Sequence, residues 1–150
     1  MQYCHTQHGR WHYVLYVTVA ATLYLAWIVR QEPVGMWVVL GVAALLFLFT
    51  EGFHHLTVRD EGEWLAIRFG PLPLLRKRIP YARIRSAQPD RTALLDGWGI
   101  HWFPGRGWTY NLWGYDCVKL SLDRGAIRVG SDDVENLVRF LRERIGQPDE

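Results

Sequence analysis

The sequence predicts a membrane-anchored α+β chain. A two-helix transmembrane hairpin comes first, and an antiparallel β roll or barrel follows, capped by a C-terminal amphipathic helix. Three observations predict it. Residues 11–50 are almost uniformly apolar. From residue 54 the hydrophobic positions recur with period two, and from residue 132 they recur at helical spacing.

The first apolar run, WHYVLYVTVAATLYLAWIV (11–29), holds no formal charge in its 19 residues. At about 1.5 Å per residue it covers close to the roughly 30 Å hydrocarbon core of a bilayer. The second run is PVGMWVVLGVAALLFLFT (33–50), and only RQE separates the two. So short a link forces the helices antiparallel, and Pro33 suits the first turn of the second. Trp11, Tyr13, Trp27 and Trp37 stand near the ends, where interfacial aromatic belts form. The first run is too long for a cleaved signal peptide. Arg10, Arg59 and Arg68 flank the outer ends while Arg30 alone sits in the link, so the positive-inside bias puts both termini in the cytoplasm. Neither run carries an ionisable residue near its middle, as an ion or proton path would need. Gly35, Gly41, Ala43 and Ala44 offer close approach to another helix. The expected division is residues 1–53, the N-terminal segment with its two spans, and 54–150, the β domain.

Beyond residue 54, Leu56 and Val58 share a face, as do Leu65, Ile67 and Phe69, then Val118, Leu120 and Leu122, then Ile127 and Val129. Glycine, proline and aspartate punctuate the gaps. Six or seven short strands with one wet face follow from this spacing. Val134, Leu137, Val138, Leu141 and Ile145 mark a helix over about 132–145, with a capping-box spacing from Asp132 to Glu135 and an end at Gly146 and Pro148.

LTVRDEGEWLAIRFGPL, then RKRIPYARIRSA, then GWGI with GWTYNLWG, then VKLSLDRGAIRVGSDDVENLVRFL, behind a helical hairpin, resembles the bacterial pleckstrin-homology-like (PH-like) membrane proteins. The resemblance covers about residues 54–145. It implies a PH-like roll closed by a C-terminal helix and tethered to the inner membrane, with no established catalytic residues.

Composition narrows the function. A net charge of +2 over 150 residues is too even for a nucleic-acid coat. The four charges of the first 53 residues cancel. Two cysteines, Cys4 and Cys117, are no disulfide scaffold, and both read as free thiols. No nucleophile motif, phosphate loop or dinucleotide fingerprint is present, so no enzyme and no cofactor is expected. His101 with Asp96 or Asp116 can be drawn as an acid–base pair, but a single imidazole in a glycine-rich loop reads as structural. The opening segment MQYCHTQHGRWH reads as an interfacial lead-in with no metal. If it were helical, His5, His8 and His12 would share a face with Cys4 beside them, and those four would be the ligands.

Two binding features stand out. Arg76, Lys77, Arg78, Arg83 and Arg85 crowd two expected strands. If those strands pair, the guanidinium groups need a counter-anion from lipid headgroups or an acidic partner; the alternative is a solvated strand face paired with Asp and Glu elsewhere in the domain. The second feature is GWGIHWFPGRGWTYNLWGYD (97–116), with four tryptophans and five glycines. It reads as a β-hairpin with Trp98, Trp102, Trp108 and Tyr110 on one face. Phe103 and Trp113 lie on the other, so one face should point inward and one toward bilayer or partner. Membrane lipids and other membrane subunits are the expected partners, and nucleic acid is not. The sequence supports a membrane-tethered module that holds a protein or anionic headgroups at the cytoplasmic surface. Its alternative is a structural accessory or assembly subunit of a respiratory or photosynthetic complex.

Overall fold

A computed structural model describes residues 2–9, 12–71, 75–92 and 99–147. Among them, the chain runs β1 (Cys4–His8), α1 (His12–Ile28), α2 (Pro33–Gly52), β2 (His55–Asp60), β3 (Trp64–Phe69) and β4 (Leu75–Pro80). A 3-10 turn at Tyr81–Arg83 leads to β5 (Ile84–Arg91), β6 (Gly99–Phe103), β7 (Gly107–Asn111), β8 (Asp116–Leu122), β9 (Ala126–Gly130) and α3 (Val134–Ile145). The class is α+β, with three helices and two sheets among the described residues.

β1 is the first departure from expectation. CHTQH has no apolar alternation, and its one buried side chain is Gln7. It forms a strand because β2 offers it a ladder. Cys4 lies opposite Arg59 and His8 opposite His55, and the Gly9 amide donates to the His54 carbonyl at 3.2 Å. A boundary at residue 53 would therefore cut through a ladder: α1 and α2 are an insertion between two paired strands. Antiparallel pairing brings both ends of the helix pair to the same end of the sheet. In a strand His5 and His8 point to opposite faces, which removes the helical ligand face drawn for Cys4, His5, His8 and His12. Among the described residues no group of three or more His, Cys, Asp or Glu side chains is placed to hold a metal. Cys4 is exposed, Cys117 is buried, and no disulfide joins them.

α1 and α2 pack along each other. Val19, Ala26 and Ala43 are buried, while Gly41 and Ala44 face outward. Among the described residues α2, at 20 residues, is the one helix long and apolar enough to cross a membrane. α1 is apolar but 17 residues long. The expected pair of spans is thus met in length by α2 alone. Trp11, which opened the first apolar run, lies outside the described residues.

One sheet has the order β1-β2-β3-β4 and the other β5-β8-β9-β7-β6. The anticipated apolar faces all turn inward. Leu56, Val58, Leu65, Ile67 and Phe69 meet Val118, Leu120, Ile127 and Val129, and Leu137, Val138 and Leu141 of α3 close the core. The second sheet is mixed rather than antiparallel: β7 runs parallel to β9, with Trp108 opposite Ile127 and Tyr110 opposite Val129. The last strand slots between β8 and β7. The four residues 112–115 therefore step across two strand spacings, about 10 Å. Buried Asn111 holds that step, donating from Nδ2 to the Gly114 carbonyl at 2.9 Å.

α3 packs on β5, β8 and the 3-10 turn. The anticipated capping box does not form. Asp133 is the N-cap, and its amide donates to Ser131 Oγ at 3.0 Å. Gly146 ends the helix with φ +70°, while Pro148 lies outside the described residues. β1 is latched to α3 as well. Tyr3 stacks on Phe140 at 5.4 Å between centroids, and His5 Nε2 lies 2.6 Å from Asp132 Oδ1.

Candidate functional site

The basic strands do not pair with each other. β4 bonds to β3 and β5 to β8, because the 3-10 turn at Tyr81–Arg83 carries the chain from one sheet to the other. The crowding expected of Arg76, Arg78, Arg83 and Arg85 across paired strands is therefore absent, and two of them have protein counter-ions. Arg85 pairs with Asp123. Arg78 donates to Glu61 Oε2 at 2.7 Å. Arg59 donates to Glu61 Oε1 at 2.6 Å, and Arg68 reaches that same oxygen. Arg59's hydrogen bonds, with the nearby charges of Arg78 and Arg68, hold the Glu61 carboxyl below the usual carboxylate range.

A lowered folded-state value means that Glu61 stabilises the fold above its unfolded value of 4.5 and loses this as pH falls through the folded value. Denaturant unfolding should therefore show Glu61→Gln less stable than wild type at pH 7. The gap should close toward pH 3. A gap that is constant with pH contradicts the charge hub.

Arg76, Lys77 and Arg83 are exposed and have no ion pair among the described residues. Lys77, Arg78 and Arg83 border a cavity of about 310 Å³ that opens between β4 and the β8–β9 hairpin. Arg124 borders it from the β8–β9 turn, and Trp102 and Trp108 border it from the aromatic hairpin. No carboxylate among the described residues lines it. Gly107, at φ +82°, lets β7 approach β9 so closely that a Cβ there would stand 2.1 Å from the Ala126 carbonyl oxygen. Its backbone helps form the cavity wall.

The aromatic hairpin is real, with Ile100 opposite Tyr110 and Trp102 opposite Trp108. Its burial divides differently from the expectation of one inward and one outward face. It grades along the length. At the base Tyr110, Thr109 and Asn111 are buried on both faces, whereas toward the tip Trp102 is 56% exposed, Trp108 46% and Phe103 43%. Among the described residues nothing covers the tip. Trp113 packs on the core and lines an apolar cavity at the base of the helices. Tyr110 and Trp113 therefore belong to the interior, and Trp98 lies outside the described residues. His101 Nε2 is buried without a hydrogen-bond partner among the described residues. Asp116 pairs with Arg91 at 3.0 Å, so it does not form the acid–base pair drawn with His101.

Sequence reasoning missed Arg124. The only local signal was the LDRG turn, which says nothing about which residues lie across from it. A cavity of about 610 Å³ is rich in carboxylates, and four of them are engaged: Asp90 with Arg128, Asp116 with Arg91, Asp132 with His5 and Asp133 with Tyr3. The basic cavity differs in that Lys77, Arg83 and Arg124 have no ion pair among the described residues. No family model, no curated protein and no solved structure matches the chain.

Proposed function

We propose that the protein is a non-enzymatic, membrane-tethered PH-like module that holds the anionic headgroup of a lipid in the cavity between β4 and the β8–β9 hairpin. The observation that carries this reading is the lining: four cations, two exposed tryptophans and, among the described residues, no acid. Arg78 has Glu61, but Lys77, Arg83 and Arg124 have no counter-ion among the described residues, and an anionic headgroup supplies one. Tryptophan suits the same boundary, since its ring is apolar and its N–H polar.

The height of the cavity favours lipid over a protein segment. In this reading α1 and α2 enter the bilayer together, and their apolar outer faces meet hydrocarbon. Leu75, at the start of β4, sits by Gly52 at the end of α2. Lys77 and Arg78 follow two and three residues later, roughly 7–10 Å up the strand. The headgroup layer is about 5–7 Å deep on each side of the hydrocarbon core, so a bulky headgroup reaches the cavity from the membrane that anchors the chain. The paired β1 and β2 keep both ends of the helix pair on one side, and the arginine bias makes that side cytoplasmic. Two packed sheets closed by α3 suit the PH-like reading, to which this chain adds β1 and a parallel pair.

The test is a titration of the detergent-solubilised protein with short-chain phosphatidylglycerol, read by tryptophan emission. Lys77→Gln, Arg83→Gln and Arg124→Gln together should weaken binding about a hundredfold at low salt, at roughly 1 kcal/mol per cation. The wild-type affinity should fall with ionic strength. Trp102→Ala should weaken binding without moving the melting temperature. Equal affinity of the triple variant and wild type overturns the lipid reading and leaves the exposed hairpin tip as a protein contact of an accessory subunit.

A further inference from the structure

Four histidines that are scattered in sequence meet at the joint between the helix pair and the sheets. His8 ends β1, His12 begins α1, His54 lies between α2 and β2, and His55 begins β2. Their ring centroids are 4.7 Å apart for His12 and His54 and 5.5 Å for His54 and His55. His8 lies 6.0 Å from His55 and 6.1 Å from His54. The Nδ1 atoms of His54 and His55 are 3.5 Å apart. His12 Nδ1 donates to the Gly9 carbonyl, because a carbonyl only accepts, so Nε2 of His12 is the site left for a further proton. The Gly9 amide in turn donates to the His54 carbonyl. The cluster thus surrounds the hydrogen bond that closes the β1–β2 ladder at the helix end.

The surroundings offer little counter-charge. Tyr13 and Tyr16 face the cluster from α1. Glu51 faces it from α2, with its carboxylate already accepting the Tyr16 hydroxyl. Gly70, just after β3, donates its amide to the His55 carbonyl. Gly99, Leu112 and Trp113 close the far side beside His12. Among the described residues one carboxylate, that of Glu51, therefore faces four imidazole rings.

We propose that His8, His12, His54 and His55 form a proton-operated catch, which holds β1 and the helix pair on β2 at neutral pH and loosens that joint in acid. Uncharged rings pack edge to face, as aromatic rings do. Protonated ones repel across 4.7–6.1 Å. Burial, then the neighbouring His54 and His8, holds His55 below the ordinary imidazole value. The neutral form therefore stabilises the joint above the unfolded value of about 6.5, and this is lost as pH falls through the folded value. The catch stands independently of the lipid reading, since it involves no residue of the basic cavity.

Hydrogen exchange on the full chain in detergent tests it, with protection expressed relative to the intrinsic rate at each pH. Between pH 7.5 and 5.0 the protection of the Gly9 amide should fall at least tenfold, while amides of β8 and β9 keep theirs. His54→Gln, which removes the ring that touches the other three, should flatten that response. Unchanged Gly9 protection in wild type, or an equal loss in His54→Gln, overturns the proposal. An NMR titration of wild type keeps it falsifiable if the variant does not fold. A His55 midpoint below about 6.5 supports the catch, and a His55 midpoint at or above that value overturns it.

Discussion

Phe69→Ala should lower the stability of the β unit by about 3–5 kcal/mol, the range for truncating a fully buried aromatic side chain. Phe69 is 1% exposed and ends β3 where three parts of the molecule meet. Its ring lies 5.7 Å from Phe53, just beyond α2, and 6.5 Å from Tyr110 on β7. Truncation would leave a void between both sheets and the helix pair. The backbone there cannot close in, because Gly70 is already wedged at the end of α2. A Cβ on Gly70 would stand 2.2 Å from the Glu51 carbonyl oxygen, at φ +63°. Against a typical total of about 5–15 kcal/mol the loss is large. Denaturant unfolding followed by tryptophan emission measures it. Phe103→Ala is the control, since Phe103 is 43% exposed at the hairpin tip. It should change stability by no more than about 0.5 kcal/mol. Similar losses in both variants would contradict the gradation of burial along the hairpin.

Gly107→Ala should be nearly as damaging, by roughly 2–5 kcal/mol, although it adds a single methyl. A left-handed backbone costs a residue with a Cβ about 1–2 kcal/mol. Overpacking adds about 1–3 kcal/mol, and here the obstacle is a main-chain carbonyl, that of Ala126. A flexible side chain could move aside, whereas the Ala126 carbonyl belongs to a strand bonded to β8 through the Ser121–Ala126 pair. Relief requires β7 to move off β9, which would also pull Trp108 away from the basic cavity. Melting temperature and lipid affinity should therefore fall together in Gly107→Ala. In the triple charge variant of the cavity, affinity should fall alone. A Gly107→Ala protein with wild-type melting would show that the parallel pairing of β7 and β9 is loose.

Much of the core was legible because it is local. Alternation in EWLAIRF or CVKLSL places side chains on one face whatever the partner strand is. The 3.6 period of VENLVRFLRERI does the same for α3. The hairpin at 99–111 was also legible, since FPGRG between two alternating runs carries its own turn chemistry. The site was legible only in part. Lys77, Arg78, Arg83, Trp102 and Trp108 were picked from charge and aromatic density, and they do converge. Arg85 belongs to the same charge-dense stretch and would join them only if the two strands adjacent in sequence paired. The turn at Tyr81–Arg83 separates them into different sheets, and Asp123 neutralises Arg85.

By itself, then, the sequence determined where the apolar helices lie, which strand faces turn inward and which short stretches hold the cations and the tryptophans. Each of these follows from residues within a few positions of one another. The tertiary structure decided the rest. β1 has no apolar pattern and becomes a strand because β2 offers open hydrogen-bonding groups across a 46-residue gap, from His8 to His55. β9 enters beside β7 because backbone ladders, unlike side-chain periodicity, say nothing in advance about order or direction. Arg124 meets Lys77, and His8 meets His54, only after those ladders close. Charge and protonation act through distance in space, and distance in space is set by which strands pair.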